Sequence, residues 1–259
     1  MGKLTFLGTG TSHGIPMIGC DCAVCTSSNP RNQRFRSSVL VETDSFRIVI
    51  DTPPEFRLQA LRAGIRSLDA VLITHSHADH IFGFDDLRLL SRTVPGGLPC
   101  YASSSTASDL RRVFRYVFEG ASPGATVPNV RIVDIDGPII VRGKRIIPIP
   151  IMHGTEEILG FRIGKLAYIT DCSRIPQSSY SLLEGLDVLV LNALRFRPHV
   201  NHFTIDQALR EVERIRPRVA YLTHIAHDLD HDTVSASLPG NVHLAHDCLQ
   251  VVFAEEDSL

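Results

Sequence analysis

The segment THSHADH places His75, His77, Asp79 and His80 within six residues, directly after the apolar run at 71–73. Neutral imidazoles and carboxylates suit Zn, Mn or Fe. Donors this close in sequence can serve two ions only if backbone turns aim them in different directions. A loop leaving a strand end does that; a regular strand, with its strict alternation, does not. The alternative is a polar loop in which histidines happen to be adjacent, and the H-x-H-x-D-H density argues against it. Three further residues sit at the polar ends of apolar runs: His153 after IIPIPIM, Asp171 after LAYIT and His224 after VAYLT. Alone, each reads as a surface or capping residue. Together with the histidine cluster they demand a fold whose strand ends lie along one edge.

Short apolar and β-branched runs predict strands at 4–7, 39–42, 46–50, 70–73, 130–133, 145–149, 161–163, 167–169, 188–191, 219–222 and 250–253. Helical patterns fall at 54–63, 106–118, 176–183 and 204–215. The last carries Ile205, Leu209 and Val212 on one face behind Thr204 as N-cap. Neighbouring strands early in the chain suit hairpins, and strand–helix alternation follows the histidine cluster. Two sheets with outer helices, an α+β arrangement in αββα layers, fit this order better than one parallel sheet. No linker or repeat interrupts the 259 residues, so a single domain, 1–259, is expected. VPGGLP and EGASPGATVPN read as surface loops.

The apolar runs are far too short to span a bilayer, and MGKLTF has no signal-peptide core, which predicts a cytoplasmic protein without a membrane partner. A formal net charge of −2 gives no sign of an extended nucleic-acid surface. Locally, PRNQRFRSS gathers Arg34, Arg36 and Ser37, which are candidate phosphate contacts or simply an exposed basic loop. Three of the six cysteines stand in GCDCAVC, as Cys20, Cys22 and Cys25. In a reducing compartment these are ligands or buried thiols rather than disulfides. Cys100, Cys172 and Cys248 lie in or near apolar strands and are expected in the core. Gly8, Gly10 and Gly14 do not match a nucleotide-binding spacing and read as turn residues.

H-x-H-x-D-H, the later histidine, the ITD aspartate and the LTH histidine, in that order along essentially the whole chain, resemble the metallo-β-lactamase fold. IDTPPEFR resembles its first motif, with Pro53 where a glycine is usual, and implies that Asp51 supports the metal loop. The resemblance assigns His75, His77 and His153 to one divalent ion and Asp79, His80 and His224 to a second, with Asp171 between them; the metal is left open among Zn, Mn and Fe. GTGTSHGIPMIGCDCAVC followed by the arginine-rich segment resembles the PhnP-type phosphodiesterases. That implies a structural zinc on Cys20, Cys22, Cys25 and His227, holding a loop at 19–26, and a general acid at His202 rather than His199. It also implies hydrolysis of a small cyclic or linear phosphodiester, of the phosphoribosyl cyclic phosphate or 2′,3′-cyclic nucleotide type, by metal-activated hydroxide, with Asp79 and His202 as the catalytic pair. Other hydrolases of the same fold, acting on thioesters, lactones or transfer-RNA 3′ ends, are the alternatives, as is an accessory protein like the pyrroloquinoline quinone biosynthesis protein B. His13 is left unassigned, and a symmetric homodimer is the reference expectation for a soluble enzyme.

Overall fold

The computed structural model describes residues 1–119 and 126–255; most of the expected EGASPGATVPN loop lies outside the described residues. The first sheet contains β1 (Gly2–Gly8), β2 (Ser38–Glu42), β3 (Arg47–Ile50), β4 (Ala70–Leu72), β5 (Leu98–Ala102), β6 (Val130–Asp134) and the last strand, β14 (Gln250–Phe253). The second contains β7 (Ile139–Val141), β8 (Lys144–His153), β9 (Glu156–Ile163), β10 (Leu166–Ile169), β11 (Val188–Asn192), β12 (Val219–Thr223) and β13 (Val242–Leu244). Their spatial orders are β14-β1-β2-β3-β4-β5-β6 and β13-β12-β11-β10-β9-β8-β7. Each sheet is mixed: β14 to β3 pair antiparallel and β3 to β6 parallel. In the other, β7 to β10 pair antiparallel and β10 to β13 parallel.

The alternation of side chains shows why strands such as VLVLN are apolar without interruption. On β11, Val188 and Val190 enter the core between the sheets, while Leu189 and Leu191 face the outer core of the second sheet. On β3 and β4 the same division holds, with Ile48, Ile50 and Leu72 inward and Val49 and Val71 outward. Both faces of each sheet are thereby covered. The outer layer on the first sheet includes α1 (Phe56–Arg62), α2 (Ala78–Ile81), α3 (Leu87–Ser91), α4 (Ser104–Val113) and α5 (Arg115–Phe118). Phe56, Phe84 and Leu110 anchor it. On the second sheet lie α6 (Ile205–Ile215) and α7 (His231–Ser235). Thr204 opens α6 with a full capping box to Gln207, and Ile205, Ala208 and Val212 are buried.

The expected αββα sandwich is therefore what forms. Four local expectations differ. The end of VPGGLP is not a surface loop, since Leu98 and Pro99 open β5 and Leu98 is buried. The helix expected over 106–118 is broken at Phe114, whose backbone leaves the helical region. Residues Gln177–Leu183 form a 3-10 helix rather than an α-helix; three serines in QSSYSLL offer competing local hydrogen bonds that weaken a regular helix. Cys100 and Cys172 are buried, but Cys248 is exposed. It occupies a bend with left-handed backbone (φ 68°) just before β14, which turns it out of the core. No helix among the described residues is long and apolar enough to cross a membrane.

Candidate metal centre

Strands from both sheets end on one rim and deliver the site. Asp51 follows β3, His75 to His80 follow β4, His153 closes β8, Asp171 follows β10 and His224 follows β12. Asp51, Asp171 and His224 all have left-handed backbone, with φ of 66°, 57° and 56°. Non-glycine residues hold that conformation only where their surroundings over-determine it, and such positions cluster at functional sites. Buried Asn192 shows how it is enforced at Asp171: its amide accepts from the Cys172 N–H at 2.7 Å and donates to the Cys172 carbonyl at 3.1 Å.

Two groups of donors result. His75, His77 and His153 lie together, and Asp79, His80, Asp171 and His224 form the adjoining group; within each, the potential ligand atoms are no more than 4.8 Å apart. Asp171 also belongs to a third grouping, with His153 and His202. It thus lies beside both groups.

The hydrogen bonds behind these side chains settle which ring nitrogen faces the centre. Asp51, fully buried, accepts from Thr74 N at 2.8 Å, from Thr74 Oγ1 at 2.8 Å and from His80 Nδ1 at 2.7 Å. Thr74 Oγ1, having donated to Asp51, accepts from His75 Nδ1 at 3.0 Å. His153 Nδ1 donates to the carbonyls of Asp171 (2.7 Å) and Asn201 (3.0 Å). With Nδ1 spent in each case, Nε2 is the ring nitrogen left facing the centre, the arrangement that outer partners give metal-ligating histidines. Nε2 of His75 is buried without a hydrogen-bond partner, and Nε2 of His80, also without an aligned hydrogen bond, faces the carboxylates of Asp79 and Asp171, each 3.3 Å away. Such atoms are costly in a folded protein and mark where a cation fits. His224 is held differently, by Ser37 Oγ (3.3 Å) and Asp171 Oδ1 (3.1 Å) at Nδ1 and by Thr11 Oγ1 (3.2 Å) at Nε2.

The electrostatics agree with a cation site. Burial opposes charge on His80, yet Asp171, Asp79 and Asp51 together hold its pKa well above the ordinary histidine value. Burial would raise Asp171, but His224 and His80 pull it well below the carboxylate range. Burial depresses His75. Carboxylates crowded at this density call for positive charge, which divalent ions held on Nε2 of His75 and His80 would supply.

The second centre is as compact. Nδ1 of His227 lies 3.2 Å from Cys20 Sγ, 3.4 Å from Cys22 Sγ and 3.6 Å from Cys25 Sγ. A tetrahedral zinc with Zn–S of ~2.3 Å and Zn–N of ~2.0–2.1 Å has S···N edges of about 3.5 Å, so the four residues fit that ion. Cys25 N–H on its sulfur helps lower the Cys22 thiol to about 6, while burial pushes Cys25 up to about 11. Asp228 Oδ1 faces His227 Nε2 at 3.4 Å.

Other candidates are placed otherwise. Arg34 was expected at the substrate or in an exposed basic loop, but it is only 2 % exposed. It donates to Thr9 Oγ1 (2.7 Å) and the Ala245 carbonyl (2.6 Å) and contacts His231 Nδ1 at 3.0 Å, so it ties the two ends of the chain together. Ser37 is also buried and supports His224 rather than a substrate. Arg36 pairs with Glu55 and donates to the Ser12 carbonyl. His202 sits beside the centre, with Nδ1 buried, lacking a hydrogen bond and 3.9 Å from Asp171 Oδ2. Its ring lies 4.9 Å from His153 and 4.8 Å from His224. Sequence reading missed Thr11, Thr74, Asn192 and the Asn201 carbonyl, none of which has a motif of its own.

Residues 46–225 match the family model described as the beta-lactamase superfamily domain. A crystal structure of a diphosphatase from the PhnP family is 44% identical, covers 98% of this chain and 99% of its own, and superposes with a TM-score of 0.92. Zn(2+)-bound PqqB from Methylobacterium extorquens shares the fold at 18% identity, with a TM-score of 0.77 over 96% of this chain and 99% of its own. Among curated proteins, an octanoyltransferase of Porphyromonas gingivalis is 39% identical over 258 residues, 98% of this chain but 52% of that protein; the chain spans about half its length. The fold, the matched residues and the near-complete PhnP-family likeness show that the chain belongs to the beta-lactamase superfamily, with the metallo-β-lactamase fold expected from its motifs.

Proposed function

We propose that the chain is a metal-dependent phosphodiesterase acting on a small cyclic or linear phosphodiester, with two divalent ions, Zn or Mn, at the rim and a structural zinc under the N-terminal loop. The observation that carries the reading is the position of His202, a nearly buried imidazole with an unengaged Nδ1 beside the carboxylate that joins the two donor groups. His75, His77 and His153 would hold one ion and Asp79, His80 and His224 the other, with Asp171 between. Bound there, such ions polarise phosphoryl oxygens and lower the pKa of water.

The chain's own residues do the rest. Asp51, Thr74 and the backbone carbonyls of Asp171 and Asn201 keep three imidazoles in one tautomer. Asp79 and Asp171 offset only part of the charge of two divalent ions, so the centre attracts a phosphodiester anion. Burial and the neighbouring His224 lower the pKa of His202 to about 3, which leaves it neutral before substrate arrives. An anionic phosphate within hydrogen-bond reach raises that proton affinity. His202 can then hand a proton to the departing alkoxide. The PhnP-family diphosphatase supports chemistry at phosphorus, while the name of the octanoyltransferase describes a protein about twice as long. One domain in a reducing, cytoplasmic setting, where the cysteine thiols stay available to zinc, belongs to the same proposal.

The test is hydrolysis of adenosine 2′,3′-cyclic phosphate and bis(4-nitrophenyl) phosphate by Mn- and Zn-loaded protein, with Asp79→Ala and His202→Ala beside it. Turnover abolished by the first variant and strongly reduced by the second is the expected result. Fully metallated protein that cleaves neither ester would sink the reading.

A further inference from the structure

A recess of about 240 Å³ opens beside His202, below the ~300–1,000 Å³ of pockets for drug-sized ligands. One wall is the N-terminal loop, with His13 and Met17; the other is the segment after β11, with Arg195, Arg197 and His199. His202 lines the recess and also stands with His153 and Asp171 at the metal centre, so the recess adjoins that centre across the His202 ring. In the proposed reaction His202 faces the departing oxygen, which places the recess on the leaving-group side.

The charges in the recess are unequal in a telling way. Arg197 is neutralised by Asp228 Oδ2 at 2.7 Å, and the other oxygen of that carboxylate faces His227. Arg195 has no acidic partner among the described residues. Its guanidinium donates only to the carbonyls of Arg197 (3.3 Å) and Pro198 (3.4 Å), both at the long end of hydrogen-bond range. His199 Nδ1 accepts from Asn201 N–H at 3.2 Å, which leaves Nε2 as a donor. A half-buried, unpaired cation with a neutral N–H donor beside it is a site for an anion.

We propose that Arg195 is the residue that recognises the second phosphate of a substrate such as a phosphoribosyl cyclic phosphate or a diphosphate when the leaving side sits in this recess, an assignment that rests on the phosphodiesterase reading. The chemistry balances as ordinary hydrolysis: the oxygen of water forms the new P–O bond and releases its proton to solvent, the bond to the leaving oxygen breaks, and that oxygen departs as a phosphate anion or takes a proton from His202, which solvent protonates in turn. The second phosphate can adjoin the reacting one, as in a diphosphate, or lie across a sugar from it.

The experiment compares kcat/KM for three substrates of the metal-loaded protein: adenosine 2′,3′-cyclic phosphate, its 5′-phosphorylated form, and ADP-ribose. The quantity read is the ratio of each phosphorylated substrate to the bare cyclic ester. Arg195→Gln should lower that ratio roughly ten- to hundredfold, the weight of hydrogen bonds to a charged group, for one of the two. Which one falls identifies where the second phosphate sits. Arg131→Gln, the same charge change on an exposed strand far from the recess, should leave both ratios as they were. Arg195→Lys should retain most of the preference; equal loss in Lys and Gln variants would assign Arg195 to holding its loop and overturn the proposal. Unchanged ratios in Arg195→Gln would overturn it too. If none of the three substrates is cleaved, the phosphodiesterase reading fails, and the recess is read by calorimetry with ribose 5-phosphate. Binding at least fivefold weaker in Arg195→Gln than in Arg131→Gln supports the subsite, and equal binding refutes it.

Discussion

Asp51→Asn is the sharpest probe of how the protein arms its metal loop. The wild-type carboxylate accepts three hydrogen bonds, from Thr74 N, Thr74 Oγ1 and His80 Nδ1, all between 2.7 and 2.8 Å. An asparagine has one accepting oxygen and one donating NH2, so it cannot satisfy all three donors in either orientation. If its oxygen faces Thr74 N–H, the NH2 meets His80 Nδ1, and the ring must move its proton to Nε2. That nitrogen is the one facing Asp79 and Asp171, each 3.3 Å away, so the lone pair needed by a cation disappears. If the oxygen instead faces His80, the N–H of Thr74 meets an N–H, one residue before His75. Either outcome leaves a buried donor unmatched, at about 1–3 kcal/mol of stability. Loss of an outer partner of a metal-binding histidine costs about 10–100-fold in metal affinity. Competition with a chromophoric chelator, run alongside urea unfolding of protein stripped of metal, measures both. Wild-type affinity at every site together with unchanged stability would refute the claim that Asp51 fixes the tautomer of His80.

Three other outcomes follow from the same geometry. His202→Ala should lower kcat on a phosphodiester by about 10²–10⁴ with bound-metal stoichiometry intact; a loss of metal content would recast His202 as a ligand. Cys22→Ser should remove one equivalent of zinc, read by elemental analysis, and lower the thermal midpoint by more than about 2–4 °C, the shift expected per kcal/mol for a chain of this size; full zinc content would refute the four-residue clamp. Asp247→Asn addresses pH. Burial pushes the Asp247 carboxyl from 3.8 up to about 6, despite donors from Phe35 N–H and Thr9 and nearby Arg34 and Arg62. A folded pKa above the unfolded one means that its stabilising contribution is full below about pH 4 and is lost as pH rises through 6. Asparagine imitates the protonated acid, so the variant should gain on wild type by up to about 3 kcal/mol between pH 4 and 7. Urea midpoints at pH 5 and 7.5 test it, and a difference that does not vary with pH refutes it.

The donors of the metal centre were legible because each is a polar residue ending an apolar run, and strand ends are where sheets place chemistry. Their partners were not. A backbone carbonyl such as that of Asn201 has no sequence signature, and neither has the left-handed backbone that turns Asp51, Asp171 and His224 inward. Arg34 was misjudged for a related reason. Three arginines within six residues look solvated, yet Arg34 is buried by Thr9, His231 and Ala245, up to 211 residues distant. Cys248 erred in the opposite direction, since apolar neighbours do not reveal a bend that faces outward.

Asp228 explains why the cysteine cluster and the active site belong to one design. Its two oxygens serve His227 of the four-residue clamp and Arg197 of the recess wall. His227 lies three residues beyond His224, so the clamp fixes the start of the same segment that closes the metal centre. On the opposite wall, Met17 N–H donates to Cys25 Sγ at 3.3 Å, while the Met17 side lines the recess. A zinc held by Cys20, Cys22, Cys25 and His227 would therefore set the width of the space beside His202, and with it which leaving groups enter. Without such a link the Met17 end of the long excursion between β1 and β2 would rest on a small apolar cluster around Ile15, Val24 and Cys25 and on the paired backbone of Ile15 and Arg34. Local opening of so small a cluster costs far less than global unfolding, and a recess that opened would lose the discrimination that Arg195 is placed to give.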